Sequence, residues 1–186
     1  MRKVFWFLED VLWNLRCKYN FWLHGPYGLS KVIEKIPFKY QIKYLRKYGA
    51  TIGENCRFER GMNIHRPLGV KPFENLYIGN NVYLGHNTLL DLSRKIVLKD
   101  NVIIASRCQV WTHASDFKGN TLEDYIYSEN FGDVVINEGA MIYSNVVITH
   151  GSIIGSFSKI GACSLVNKVI LSNSFYGGVP ARQIHS

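Results

Sequence analysis

Residues 136–166 read INEGAMIYSNVVITHGSIIGSFSKIGACSLV, with an aliphatic residue at every sixth position: Ile136, Ile142, Ile148, Ile154, Ile160 and Val166. An amphipathic helix repeats its apolar face about every 3.6 residues and a half-buried strand every two, so a period of six fits neither. The same beat runs through Leu98, Ile104 and Val110, and through Ile78, Leu84, Leu90 and Ile96. It is fainter in Ile52, Phe58 and Ile64. Six-residue units repeated in this way are the mark of a parallel β-helix. Each hexad supplies one short strand and a corner, and three hexads close one coil of a triangular prism. The apolar residue points inward and stacks on its counterpart three hexads on. One coil cannot bury its own interior, so several must stack.

The rest of each hexad agrees. The fourth residue after the apolar one is small or β-branched (Cys56, Val82, Thr88, Val102, Cys108, Ala114, Ala140, Val146, Ser152, Ser158, Ser164), and the residue just after the apolar one is often glycine (Gly53, Gly79, Gly85, Gly155, Gly161). Glycine spares a tight corner a Cβ clash. The beat lapses twice. Pro67, Gly69 and Pro72 interrupt it between Ile64 and Ile78. Residues 115–133 are polar and aromatic with no hexads. A stretch this long inside a compact unit is usually functional or disordered, and it is predicted to leave the prism as an arm. Val110 is then followed by the hexad of Ile136 on the next face. His113 stands where the rhythm breaks.

The chain of 186 residues carries a net charge of +8, unevenly spread. Residues 1–48 hold ten Lys and Arg against three acids, a net +7, and three of the four Trp; the other 138 residues hold twelve against eleven. In this head, Val4, Phe5, Leu8, Val11, Leu12 and Leu15 follow helical spacing. His24 to Gly28 read as a turn, Ser30 as the cap of a short helix, and Pro37 as the first position of a helix that stops at Gly49. Lys39, Lys43, Arg46 and Lys47 give that helix a positive side. Two readings of the head stand side by side. It covers the open end of the prism, or it holds the protein peripherally against an anionic membrane face. Nucleic acid is not the expected partner, because no recognised motif accompanies the charge. The cysteines at 17, 56, 108 and 163 form no CxxC pair, as expected of free thiols in a reducing, cytoplasmic compartment. No secretory signal is read at the start, and no run of about eighteen apolar residues suggests a spanning helix.

The segment from Ile136 to Ile184 resembles the C-terminal part of hexapeptide-repeat acyltransferases. The tail Gly178-Val179-Pro180-Ala181-Arg182-Gln183-Ile184 is similar to their Gly-x-Pro-Ala-Lys/Arg-x-Ile ending. Ile160 to Lys168 resembles their Ile-Gly-Ala-Gly-Ser-x-Val-x-Lys. Val110 to Asp116 falls where the family keeps its catalytic histidine, and Gly85 to Asp91 resembles the acceptor-binding coil of the maltose and galactoside acetyltransferases. The head is loosely similar to that of polysaccharide O-acetyltransferases. The resemblance spans roughly residues 49–184. It implies a mainly β fold, a left-handed parallel β-helix over 50–186, with an N-terminal helical segment over 1–49 and an extruded loop around 115–133. The left hand comes from the resemblance, since strand crossovers are normally right-handed.

It also implies a chemistry: transfer of an acetyl group from acetyl-CoA, as co-substrate, to a sugar hydroxyl, in surface polysaccharide or glycan biosynthesis, by a homotrimer with sites between subunits. His113 is the expected general base, with Asp116 or a backbone carbonyl orienting it. A backbone N–H near Ser144 or Ser115 would serve the oxyanion. Ser144, Gly161 and Ala162 would line the CoA slot, with Lys168 and Arg182 at its phosphates. His86, Asn87 and Asp91 would bind the acceptor. Tyr143 and Cys163 stand where the family favours glycine. Two alternatives remain. A γ-carbonic-anhydrase-like enzyme would need three histidines on zinc, but His86, His113 and His150 are dispersed, and residue 118 is Lys. No metal is expected. The other alternative is a non-catalytic β-helix scaffold.

Overall fold

The computed structural model describes residues 2–118 and 126–184, with side chains for 5–115 and 129–184. Three short strands make each coil. The first coil is β1 (Thr51–Ile52), β2 (Arg57–Phe58) and β3 (Asn63–His65); the second is β4 (Leu76–Ile78), β5 (Tyr83–Leu84) and β6 (Leu89–Asp91). The third is β7 (Ile96–Leu98), β8 (Ile103–Ile104) and β9 (Gln109–Val110). An arm follows, formed by β10 (His113–Lys118) and β11 (Ile126–Phe131). The fourth coil is β12 (Val134–Ile136), β13 (Met141–Ile142) and β14 (Val147–Ile148), and the fifth is β15 (Ile153–Ile154), β16 (Lys159–Ile160) and β17 (Leu165–Val166). β18 (Val169–Ile170) and β19 (Phe175–Gly177) begin a sixth coil, and β20 (Arg182–Gln183) folds back antiparallel on β19.

Parallel pairing between coils builds three faces: β1-β4-β7-β12-β15-β18, β2-β5-β8-β13-β16-β19 and β3-β6-β9-β14-β17. Each face contributes one inward stack. The second runs Phe58, Leu84, Ile104, Ile142, Ile160 and Tyr176, all buried. Full burial of each aliphatic side chain is worth about 1.5–3 kcal/mol. The buried hydroxyls between the stacks are satisfied locally: Thr88 donates to the Gly85 carbonyl (2.8 Å) and Ser158 to that of Gly155 (2.7 Å).

The hexad reading needs one correction of register. Ile78 pairs with Leu98, twenty residues on, while Ile96 pairs with Leu76 and Val134. Ile96 is buried at a strand start and is not the inward successor of Leu90. The corner from the third face to the first is longer here, and pairing between coils, not sequence distance, sets which residues stack. Later the same corner shortens, so Ile154 meets Ile170 after sixteen residues. The expected crossing from Val110 to Ile136 is observed, and the arm is a hairpin of two six-residue strands, with His113 opposite Phe131. The corner glycines mostly serve close approach: a Cβ on Gly85 would lie 2.6 Å from the backbone of Ala105. The left-handed corner positions are filled largely by asparagine, and by Cys163 at φ 58°, which explains why glycine suits position 163.

In the head, α1 (Arg2–Ile33) is interrupted at Gly25 (φ 60°, ψ −155°) just before Pro26, and α2 (Phe38–Lys47) follows Pro37. Ser30 lies within α1 and donates to the Tyr27 carbonyl (2.8 Å), so it is not a cap; Pro37 sits one residue before the helix rather than in it. Leu29, Ile33, Tyr44 and Leu45 are buried in one core with Phe58, Met62 and Ile64. Arg46 donates to the carbonyls of Ile52 and Gly53 at the open edge of the first coil. The helices therefore cover the end of the prism. The positive side of α2 is spent internally: Lys39, Lys43 and Lys47, one turn apart, bond Glu9, Asp10 and Asn14 of α1.

Candidate active site

Three successive coils each turn from the third face to the first at one edge of the prism, and the polar residues there converge. His65 and Asp91 follow the inward residues Ile64 and Leu90 and are paired in register. Ser93 and His113 stand at equal offsets, three residues past Leu90 and Val110. Asp91 is fully buried. Its Oδ2 accepts from His113 Nδ1 (2.7 Å), the Thr112 N–H (2.8 Å) and the Thr112 hydroxyl (2.8 Å), which also reaches the Asp91 carbonyl. Its Oδ1 accepts from the Ser93 hydroxyl (2.8 Å) and N–H (3.3 Å). Burial alone would raise the carboxyl pKa; donation from His113, Ser93 and Thr112 outweighs it and holds the group below its ordinary value.

An ionised Asp91 can only accept, so His113 carries its proton on Nδ1 and presents Nε2 with a free lone pair. The imidazole is walled by rings. His65 stacks on it (centroids 5.6 Å, interplanar 16°), Trp111 meets it edge-on at 6.0 Å, and Phe131 of the arm lies at 6.3 Å. Burial pushes the His65 pKa down and outweighs the upward pull of Asp91, with His113 and Arg66 adding smaller downward pushes. Arg66 and Glu129 pair across to the arm, and the Arg94 guanidinium sits 4.9 Å over the Phe131 ring. A cleft of about 390 Å³ opens beside the pair between Leu68, Asn75, Ser93, Arg94 and Phe131.

The residues singled out from sequence separate into two edges. Asp91, expected to bind acceptor, is buried with both oxygens occupied, and it holds the orienting position expected of Asp116. Asp116 pairs through its backbone with Ser128, and its side chain lies outside those described. His86, Asn87, Ser144, Gly161 and Ala162 lie along the other edge, between the second and third faces. There a cleft of about 690 Å³ is lined by His86, Asn87, Arg107, Ser144 and Asn145. His86 is 3.7 Å from Glu59. Lys168 is at the His113 edge, its Nζ 5.5 Å over the Tyr176 ring, and Arg182 is exposed on β20. Tyr143 needs no glycine, since it has no positive φ. His65, Ser93 and Thr112 join the cluster without belonging to any motif in the sequence; the equal offsets of His65 with Asp91 and of Ser93 with His113 on adjacent coils are the signal the sequence holds. His65, Asp91 and His113 bring one ligand atom each within 4.8 Å of one another, although His113 Nδ1 and Asp91 Oδ2 already engage each other.

A family sequence profile described as bacterial transferase hexapeptide (six repeats) matches residues 133–168. The galactoside O-acetyltransferase of Escherichia coli (strain K12) is 30% identical over 141 residues, covering 75% of this chain and 65% of that protein. A dTDP-3-amino-3,6-dideoxy-α-D-galactopyranose 3-N-acetyltransferase of Aneurinibacillus thermoaerophilus is 41% identical over 54 residues, 29% of this chain and 28% of that protein. The chain thus spans less than two thirds of either relative. A solved galactoside acetyltransferase in complex with coenzyme A superposes with a TM-score of 0.71 at 24% identity, covering 84% of this chain and 78% of that one. Residues 133–168 match the transferase hexapeptide profile, and the coils superpose on those of a solved acetyltransferase, so the chain has the left-handed parallel β-helix fold.

Proposed function

We propose that the protein is an acyltransferase that moves an acetyl group from acetyl-CoA to a hydroxyl of a sugar acceptor. The observation that carries this is the buried Asp91 carboxylate locked onto His113 Nδ1 at 2.7 Å, which leaves Nε2 as the nitrogen able to act as a base. As the sugar oxygen attacks the thioester carbonyl, Nε2 takes its proton and Asp91 stabilises the imidazolium. Collapse of the tetrahedral intermediate breaks the C–S bond, and the imidazolium returns the proton to the departing thiolate. Asp91 supports the orienting role in place of Asp116.

The CoA-lining set of Ser144, Gly161 and Ala162 occupies a different edge from His113. We infer a homotrimer in which one subunit brings that edge to the His113 edge of the next, with Lys168 and Arg182 near the CoA phosphates and His86 and Asn87 serving the acceptor. Four free thiols support a reducing compartment, where acyl-CoA is the natural donor. An amine acceptor is the second reading, favoured by the amino-sugar N-acetyltransferase among the relatives.

The test is thiol release from acetyl-CoA against a panel of sugars and amino sugars. Release with hydroxyl acceptors supports O-transfer; release only with amino sugars replaces it with N-transfer. His113→Ala lowers turnover by about 10²–10⁴-fold while melting and CoA binding persist; undiminished turnover rules out the base. No release with any acceptor favours the scaffold alternative, and stoichiometric zinc in purified protein favours the carbonic-anhydrase alternative.

A further inference from the structure

The head covers the prism with one side of α1 and leaves the other side bare. Phe5, Leu8, Leu12, Leu15, Tyr19 and Trp22 follow spacings of three and four and share one helical face. All are exposed, from 54% for Leu8 to 81% for Trp22. The opposite side is engaged: Cys17 is buried, Phe21 meets the Tyr48 ring at 5.9 Å, and Glu9 and Asp10 bond the α2 lysines. Glu9 and Asp10 are the acids of α1. The lysine ladder holds both on the inner side, so the outer face carries no negative charge. Arg16 and Lys18, both exposed, flank the apolar row on either side of the helix.

We propose that this face of α1 docks the protein on an anionic lipid bilayer, lying in the plane of the interface. Aromatic and leucine side chains on one face with cations at its margins is the composition that partitions into the headgroup boundary. No described helix is long and apolar enough to cross a membrane. Charge complementarity separates lipid from the competing occupant, a second copy of α1. The row has heptad spacing, and its flanking positions include Glu9, Val11, Arg16, Lys18 and Leu23, of which Glu9 is already bonded to Lys39 of α2. With Glu9 engaged within the chain, the others form no opposite-charge pair between copies, whereas each cation is drawn to an anionic surface. The proposal does not depend on the acyltransferase reading.

The test is flotation of the full-length protein with vesicles of phosphatidylcholine alone or mixed with phosphatidylglycerol, alongside sedimentation equilibrium without lipid. The expected result is flotation with the anionic vesicles, blue-shifted tryptophan emission, and release at about 0.5 M salt. Leu12→Glu with Leu15→Glu, both exposed, abolishes flotation while melting as the parent does. Arg16→Gln with Lys18→Gln weakens binding by about ten- to thirty-fold. Absence of flotation, or flotation unchanged in the Leu12→Glu, Leu15→Glu variant, overturns the proposal. So does a parent that fails to float and whose solution mass falls on that double substitution, which assigns the face to a second copy.

Discussion

Two of the corners by which the prism turns from its third face to its first stand in contrast. In the fourth coil, Ile148 and Ile154 keep the six-residue beat, and the corner hydroxyls of Thr149 and Ser152 simply donate to the Val166 carbonyl, each at 3.3 Å. Between the second and third coils, the inward residues Leu90 and Leu98 stand eight positions apart. There Asp91 accepts from Ser93, Thr112 and His113. Where the corner keeps the regular six residues, its polar groups satisfy only backbone. Two surplus residues provide enough chain to bury a carboxylate against several donors, which a regular coil has no room to do.

This contrast is most open to attack at Asp91. Asp91→Asn keeps the shape but can present an N–H to Nδ1 and favour the wrong tautomer, so turnover should fall by about 10³–10⁴-fold. At the regular corner, Ser152→Ala should leave turnover unchanged and cost about 0.5–1.5 kcal/mol in denaturant unfolding. If the two substitutions cost similar activity, the contrast collapses; if Asp116→Asn is the crippling one, Asp116 regains the orienting role.

Stability should divide the other way. Ile142→Ala, in the second inward stack, is expected to cost about 2–5 kcal/mol. Phe131→Ala, on the arm beside His113, should lower kcat/KM about tenfold through a misplaced ring wall and barely move the melting temperature. A large melting shift in the arm variant would show that the hairpin is part of the core. Thr112→Val, which removes one hydroxyl donor from Asp91, should cost about 1 kcal/mol.

The smallest effects are in pH. The folded Asp91 carboxyl lies below its ordinary value. Its contribution to stability is therefore complete above an unfolded pKa of about 3.9 and is lost as pH falls through the lower folded value. His65 is also lowered, but as a base it works earlier. The unfolded chain takes up its proton first, so stability declines as pH drops below about 6.5. His65→Phe should remove that decline; an unchanged acid limb in urea titrations would place its origin elsewhere.

Read alone, the residues determined the coil, its faces and the departure of the arm. Those features follow from a local apolar period that only a stacked prism can bury. They also carried two helices flanking a turn, since Gly25-Pro26 and Pro37 constrain the backbone by themselves. Which carboxylate meets His113, that His65 stacks on it, that Ile96 is displaced from the inward row, and that the α2 lysines face α1 were decided only by the tertiary structure. Each depends on the pairing of coils joined by corners of unequal length, or of helices joined by a turn. In both cases a shift of one or two residues changes every partner without altering the period.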